Sequence, residues 1–96
     1  MAYPLVDKYI SLNRKLYLEI SKITRGNLLI VKLLVSLNAD LFQQDQWNRN
    51  LLHIAYYNSQ EDIIKYLIKC GINTQQKDYF SKIPHEYSNF KNKLFS

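Results

Sequence analysis

Apolar residues recur at helical spacing along the first quarter of the chain. Successive apolar positions are three or four residues apart, and Lys, Ser and Glu lie between them: Leu5, Tyr9, Leu12, Leu16, Ile20 and Ile23. Pro4 suits the first turn of a helix, because its missing N–H needs no helical partner there. The pattern predicts one long helix over about residues 4–25, or two abutting helices with a break at Asn13-Arg14.

A second helix is predicted from Leu28 to Leu37, and it is apolar on most of its surface. The turn Thr24-Arg25-Gly26-Asn27 precedes it, and we expect Gly26 to end the first helix in the left-handed conformation. A helix that is apolar nearly all round must be covered on more than one side. The second helix is therefore expected to lie inside a stack of helices.

Two shorter apolar segments follow a turn that is rich in Asp and Asn and starts at Asp45. The first segment ends at Ala55, and the second runs from Ile63 to Cys70 and is closed by Gly71. The polar break Asn58-Ser59 separates them, so the pattern predicts a helix–turn–helix unit. Its expected core residues are Leu52, Ala55, Ile63, Ile64, Leu67 and Ile68.

The chain also repeats itself. Asp45 and Asp78 are 33 residues apart. At the same offset, apolar positions coincide in the pairs Ile30 and Ile63, Val31 and Ile64, and Leu34 and Leu67. A repeat of this length indicates a stack of similar units, each of which buries its apolar face against the next.

The unit from Asp45 to Lys77 resembles an ankyrin repeat. The family pattern is matched at Asp45, Leu52, His53 and Ala55, and by Pro84 in the following unit. Asn48 stands where the family has Gly, Asn50 where it has Thr, and Leu51 where it has Pro. Asn is the non-Gly residue that best tolerates a left-handed backbone, so the change at Asn48 is mild.

This resemblance implies an all-α, ankyrin-repeat helical solenoid that forms a single domain over residues 1–96. Its expected parts are an N-terminal capping helix (4–15), a degenerate first repeat (16–44), a complete repeat (45–77) and a truncated terminal repeat (78–96). It implies structural roles for Asp45, Leu52, His53, Ala55, Gly71, Asp78 and Pro84. The His53 ring is expected to hydrogen-bond the backbone of the adjoining turn.

Composition and charge narrow the class of protein. The chain has 96 residues, 47% of them hydrophobic, with a net charge of +5 and one cysteine, Cys70. One cysteine excludes an intramolecular disulfide, which favours a reducing compartment, cytoplasmic or nuclear. No signal peptide or membrane-spanning segment is expected. The Lys-, Asn-, Ile- and Tyr-rich composition resembles that of AT-rich microbes, viruses and parasites, for which the host cytosol would be the site.

Catalytic and metal-binding chemistry is not predicted. His53 has no nucleophile at a spacing that suggests a triad. His53, His85 and Cys70 lack the close-spaced pairs that are typical of metal sites. No Gly-rich phosphate loop occurs. The chain is therefore expected to be a non-enzyme without cofactor or metal.

The resemblance instead implies a partner-binding surface, formed by the turn tips and the concave face. Carried over by position, it comprises Arg25, Gln46, Trp47, Arg49, Tyr57, Asn58, Tyr79, Phe80, Lys82, Phe90 and Lys91. Trp, Tyr and Arg dominate the binding energy of protein interfaces. The alternative for Trp47 and Phe80 is that they lean back onto neighbouring turns.

Three functions remain open. The first is a protein–protein interaction module, for which an acidic partner is one option because the chain is basic. The second is nucleic-acid binding, although the positive charge is spread over both helix faces and no nucleic-acid motif is present. The third is a structural subunit that self-associates through the apolar residues of its last repeat, Phe90, Leu94 and Phe95.

Overall fold

The computed structural model describes the backbone of residues 5–88 and the side chains of residues 12–88. It contains four α-helices and one short 3-10 helix: α1 (Leu5–Ile20), α2 (Leu28–Ser36), α3 (Leu51–Tyr57), α4 (Glu61–Lys69) and the 3-10 helix Pro84–Tyr87. Residues 5–88 hold no β-strand, apart from an isolated bridge between Gln44 and Asn50. The prediction of an all-α helical solenoid is confirmed.

Helix α1 is one continuous helix without a break at Asn13-Arg14, and it ends at Ile20 rather than near residue 25. The chain turns early because polar groups hold the loop that follows. The Glu19 carboxylate accepts a hydrogen bond from the Asn27 backbone N–H at 2.9 Å. The Asn27 side chain in turn accepts from the N–H of Leu29 and so caps α2.

Gly26 has a different role from the one predicted. Its φ lies outside the left-handed region. A Cβ atom at this position would lie 2.7 Å from the Glu19 carbonyl oxygen and 2.9 Å from the Ile63 side chain. Glycine is therefore needed here because two chain segments approach closely, and the turn does not require its backbone freedom.

Helix α2 is not covered on more than one side, which corrects the sequence prediction. Within it Val31 and Leu34 are buried, whereas Leu29 and Leu33 are 75% and 57% exposed. Ile30 in α2 and Ile63 in α4 are one repeat apart and occupy the same position in successive units. Ile30 is 39% exposed, whereas Ile63 is 1% exposed. Ile63 packs against the preceding unit, while no described residue covers the equivalent side of α2.

The core is continuous through α1, α2, α3 and α4. Four predicted core residues are almost completely buried: Leu52, Ala55, Ile63 and Leu67. Ile68 was placed there wrongly: it is 43% exposed because it lies on the outer side of α4, and Ile64 is half-buried. Ala55 lies within the second half of α3, and its carbonyl accepts from the Gln60 N–H at 3.0 Å.

The 3-10 helix packs against α3 and closes the described chain. Pro84 occupies its first turn and is buried, together with Tyr87. The Tyr87 ring meets the His53 ring edge-on, with centroids 5.8 Å apart. The four C-terminal residues that the sequence analysis singled out lie outside the described residues: Phe90, Lys91, Leu94 and Phe95.

Candidate functional site

Two aspartates build two turns of the same geometry. The Oδ1 atom of Asp45 accepts from the N–H groups of Trp47 and Arg49, both at 2.9 Å. In the next unit, Oδ1 of Asp78 accepts from Phe80 at 2.9 Å and Lys82 at 3.0 Å. Each aspartate thus fixes a protruding loop, as Asp side chains do in turns. We call residues 46–49 the first tip and residues 79–82 the second tip.

The tips need left-handed backbone positions, and the sequence supplies them without glycine. Asn48 in the first tip has φ 61°, and Ser81, one repeat later, has φ 62°. Asn38, just after α2, is also left-handed, with φ 73°. Asn tolerates this conformation better than most residues, whereas Ser is an uncommon occupant.

One backbone and two side-chain hydrogen bonds hold the two tips side by side. The Tyr79 N–H donates to the Trp47 carbonyl at 3.0 Å. The Asn48 side chain donates to the Lys77 carbonyl at 3.1 Å, and Gln76 donates back to the Asn48 carbonyl at 3.0 Å. Side chains of the two tips therefore form one continuous edge.

His53 connects the complete repeat to the next turn. Its Nδ1 accepts from the Asn50 N–H at 3.1 Å, and its Nε2 lies 2.9 Å from the Lys82 carbonyl oxygen. Hydrogen on Nε2 satisfies these two contacts, and Nδ1 also lies 2.9 Å from the Asn50 Oδ1 atom. Both ring nitrogens are engaged and the side chain is 1% exposed, so His53 is not free to act as a general base.

A buried pair anchors the second tip from below. The Tyr87 hydroxyl donates to the Asp78 carboxylate. Burial raises the pKa of Asp78, but the hydrogen bonds from Tyr87, Lys82 and Phe80 outweigh it, so the pKa lies below its ordinary value. Burial and the neighbouring carboxylate together raise the pKa of Tyr87 to about 12. At neutral pH the pair is a carboxylate and a phenol.

The tips expose aromatic side chains at their ends. Tyr79 and Phe80 are 73% and 65% exposed, and Gln46 is exposed as well. Trp47 is partly packed, because the Arg49 guanidinium carbon lies 4.7 Å from the centroid of its ring. Arg49 is fixed in turn by an ion pair from Nε to Asp45 at 2.7 Å.

A groove of about 520 Å³ runs from the first tip along the end of α3. Arg49, Tyr57 and Asn58, which the sequence analysis selected, line it. The remaining lining residues were missed: Tyr17, Ser21, Ile23 and Ile54. They come from α1, the loop after it and the inner side of α3, so their position depends on how α1 packs against α3. Nothing in their local sequence indicates this.

Two selected cations lie outside the groove. Arg25 pairs with Asp62 at the start of α4 and lines a neighbouring cavity of about 450 Å³, which shares Ile23 and Asn58 with the groove. Lys82 belongs to the second tip, and its ammonium lies 5.6 Å from the centroid of the Tyr87 ring. The structure therefore brings together Trp47, Arg49, Tyr57 and Asn58, and Arg25 lies in the cavity next to them.

Two buried polar residues also escaped the sequence analysis. Gln60 accepts from the Gly26 N–H at 2.8 Å and donates to the carbonyls of Lys22 and Thr24 at 3.1 and 3.0 Å. Burial raises the pKa of Glu19, but the Asn27 N–H and Lys22 outweigh it and the pKa is lowered. Both residues fix the loop after α1, which carries Ile23 into the groove.

The described side chains of the site form a surface for binding. Residues 12–88 contain no group of three His, Cys, Asp or Glu side chains that could hold a metal ion. Among the described residues, no helix is long and apolar enough to cross a membrane. An exposed edge of aromatics beside an apolar groove is the kind of surface that binds another macromolecule.

Comparison with known proteins matches this geometry. A family model described as "Ankyrin repeats (3 copies)" matches residues 19–80. The curated protein phosphatase 1 regulatory subunit 27 of Mus musculus is 38% identical to the chain over 61 residues, and so is that of Homo sapiens. The match covers 64% of this chain and 40% of each relative, so the matched segment spans less than half the length of these proteins.

Proposed function

The chain belongs to the ankyrin repeat family, and from this premise we propose that it is a non-catalytic module that binds another protein through its tips and the groove beside them. Ankyrin repeats generally mediate protein–protein interaction. The relatives it matches are named as regulatory subunits, which is a role exercised on another protein. We place the module in a reducing intracellular compartment, since its sequence has a single cysteine.

The observation that carries this proposal is the exposure of Tyr79 and Phe80. Both are large aromatic side chains at the end of a loop that Asp78 holds rigid. Exposing them to water costs hydrophobic free energy, and the loop would form without them, because backbone groups of Phe80 and Lys82 make its hydrogen bonds. Aromatic side chains on a rigid support are suited to interface anchors, since little conformational entropy is lost when they are covered.

Site-specific photo-cross-linking tests the proposal. A benzophenone amino acid replaces Phe80 in one variant and Ile68, on the outer side of α4, in a matched control. We expect a protein cross-linked from position 80 and not from position 68, and its capture is expected to fall when Trp47→Ala is added to the position-80 variant. Equal capture from both positions, or capture that Trp47→Ala leaves unchanged, would contradict this assignment of the surface.

Self-association is the second candidate, and one observation favours it. The exposed side of α2 carries Leu29, Ile30, Leu33 and Leu37 without a charge. The one charged residue of the helix, Lys32, lies elsewhere, 5.6 Å from the centroid of the Tyr66 ring. Sedimentation velocity distinguishes this candidate: a self-associating chain sediments faster as its concentration rises, and Leu29→Glu/Leu33→Glu abolishes the effect. A constant sedimentation coefficient excludes it.

Nucleic-acid binding gains no comparable support. Two of the cations that phosphates would need are already paired with carboxylates: Lys22 with Glu19 and Arg25 with Asp62. Backbone-tracking proteins need several free cations along a path. We therefore rank a protein partner first.

A further inference from the structure

We propose that the groove binds a partner peptide in which a bulky apolar side chain stands beside a carboxylate, the side chain filling the groove and the carboxylate pairing with Arg49. This inference rests on the proposed function and specifies the partner's chemistry. Two observations support it. The groove walls are mainly apolar, and the guanidinium of Arg49, which also lines the groove, is held in a fixed position.

The walls are apolar and one of them is freely accessible. Ile23, in the loop after α1, is 87% exposed although it is fully aliphatic. It lines the groove with Ile54 and with the rings of Tyr17 and Tyr57. A volume of about 520 Å³ lies within the range of protein sites that take a defined ligand group. Covering Ile23 with a partner's side chain removes the apolar surface that the fold leaves in water.

Among the described residues, Arg49 is the only charged one that lines the groove, and its guanidinium is held in place. Its Nε donates to Asp45, and its face lies over Trp47. Within residues 12–88, the hydrogen bonds of this guanidinium run through Nε, so its two terminal nitrogens are available. A fixed guanidinium with free N–H groups favours a carboxylate, which accepts two parallel hydrogen bonds.

Asp45 does not compete for those terminal groups. One of its oxygens accepts the Trp47 and Arg49 N–H groups, and the other accepts Arg49 Nε. The carboxylate is therefore used within its own turn. An acidic partner also agrees with the net charge of +5, which speeds the encounter with negative surfaces.

A peptide fits this site better than a nucleic acid does. The walls contain two aliphatic side chains, whereas bases are bound mainly on aromatic faces. The groove also has a single cation, while a nucleic-acid backbone presents a phosphate at every nucleotide. The combination of an aliphatic wall and one guanidinium matches a dipeptide such as Leu-Glu or Phe-Asp.

The test uses the full chain and a phage-displayed library of random 12-residue peptides. We expect the selected peptides to carry Leu, Ile, Met, Phe or Trp within two positions of Asp or Glu. Synthetic versions are then titrated into the protein, with the fluorescence of Trp47 as readout, since it is the single tryptophan and it stacks on Arg49.

Variants assign the two halves of the motif. Ile23→Asp removes an apolar contact and Arg49→Gln removes a charged hydrogen bond, and each is expected to weaken binding at least about tenfold. Ile68→Asp and Arg14→Gln, at exposed positions outside the groove, are the matched controls and are expected to leave binding unchanged. Circular dichroism confirms that each variant is folded. A control peptide carries Asn or Gln in place of its Asp or Glu. For this peptide, Arg49→Gln is expected to change the affinity little, because the ion pair with Arg49 is already lost.

Three outcomes overturn the inference. The library yields no binder, the selected peptides lack an apolar–acidic pair, or their affinity does not respond to Ile23→Asp and Arg49→Gln. If affinity instead falls in Tyr79→Ala and Phe80→Ala alone, the groove inference fails while the proposed function through the tips stands. Cross-linking from position 80 to a protein that still binds Ile23→Asp would likewise remove the groove and leave the tips as the binding surface.

Discussion

His53 and Lys82 meet across the boundary between two units, with the Nε2 atom of the imidazole 2.9 Å from the lysine carbonyl oxygen. They are 29 residues apart in the chain. The contact fixes the second tip to the start of α3, while the other ring nitrogen accepts from the backbone of Asn50. One side chain therefore supports both the helix cap of its own unit and the loop of the next.

We predict that His53→Phe destabilises the fold. Phenylalanine keeps most of the volume but leaves the Asn50 N–H and the Lys82 carbonyl without partners. Each buried, unsatisfied group costs about 1–3 kcal/mol. In a chain of this size, 1 kcal/mol corresponds to about 4–8 °C in Tm. Thermal unfolding measures the loss, and His85→Phe, at an exposed position, is the control with little change expected. An unchanged Tm in His53→Phe would contradict the contact.

Asp78→Asn is expected to lower Tm at pH 7 and to lose this effect in acid. The folded state lowers the pKa of Asp78 below its ordinary 3.8, so the unfolded chain binds more protons over that window. The stabilisation is complete above pH 5 or so and disappears as the pH falls through the lowered pKa. Tm measured from pH 7 to pH 2.5 should show the wild type and Asp78→Asn converging. A gap that stays constant would refute the assignment.

Tyr87→Phe tests the same pair from its other side at alkaline pH. Burial and Asp78 raise the pKa of the phenol from 10.0 to about 12. The folded state therefore holds a proton that the unfolded chain releases, and its contribution to stability is lost between pH 10 and 12. Phenylalanine has no such proton, so Tm of the wild type should fall more steeply than that of Tyr87→Phe over this range. Parallel curves would count against the raised pKa.

Substitution of the two glycines should be costly for different reasons. At Gly26 an added Cβ meets the Glu19 carbonyl at 2.7 Å, so both Ala and Asn are expected to cost about 1–3 kcal/mol. Gly71 has φ 88° with no atom within 4 Å of an added Cβ. There Ala is expected to cost about 1 kcal/mol of backbone strain and Asn less. Urea unfolding of the four variants measures this, and equal costs of Ala and Asn at Gly71 would contradict it.

Gln60 is predicted to be as important for stability as an apolar core residue. Gln60→Leu removes the partners of the Gly26 N–H and of the Lys22 and Thr24 carbonyls. We expect a loss of about 1–3 kcal/mol in the free energy of unfolding. Gln75→Leu, at an exposed position, is the matched control. If both variants unfold at the same urea concentration, the loop after α1 does not depend on Gln60.

The sequence was sufficient to predict the repeat, its period and most of its core. The reason is that apolar spacing at Leu52, Ile63 and Leu67 follows directly from helix geometry. The register of the turns was also readable, because Asp45 and Asp78 make their contacts with residues two and four positions further on. Local patterns that repeat along the chain give the fold of a repeat protein almost completely.

The parts that could not be predicted depend on contacts between distant segments. The role of Gly26 is set by Glu19 and Ile63, and that of Gln60 by the loop after α1. The exposure of Ile68 and of Leu29 depends on which neighbour covers each helix side. The groove combines α1 with α3, and helical periodicity contains no information about that pairing.

The matched turns at Asp45 and Asp78 have a consequence for how such a chain can grow. Both carboxylates accept hydrogen bonds from the same two backbone positions of their turns. If the DNA that encodes residues 45–77 is duplicated in tandem, Lys77 is followed by Asp45 instead of Asp78, and the same kind of turn forms at the junction. Unequal recombination can therefore lengthen the protein by whole units. Each added unit would bring its own loop and its own interface to vary independently.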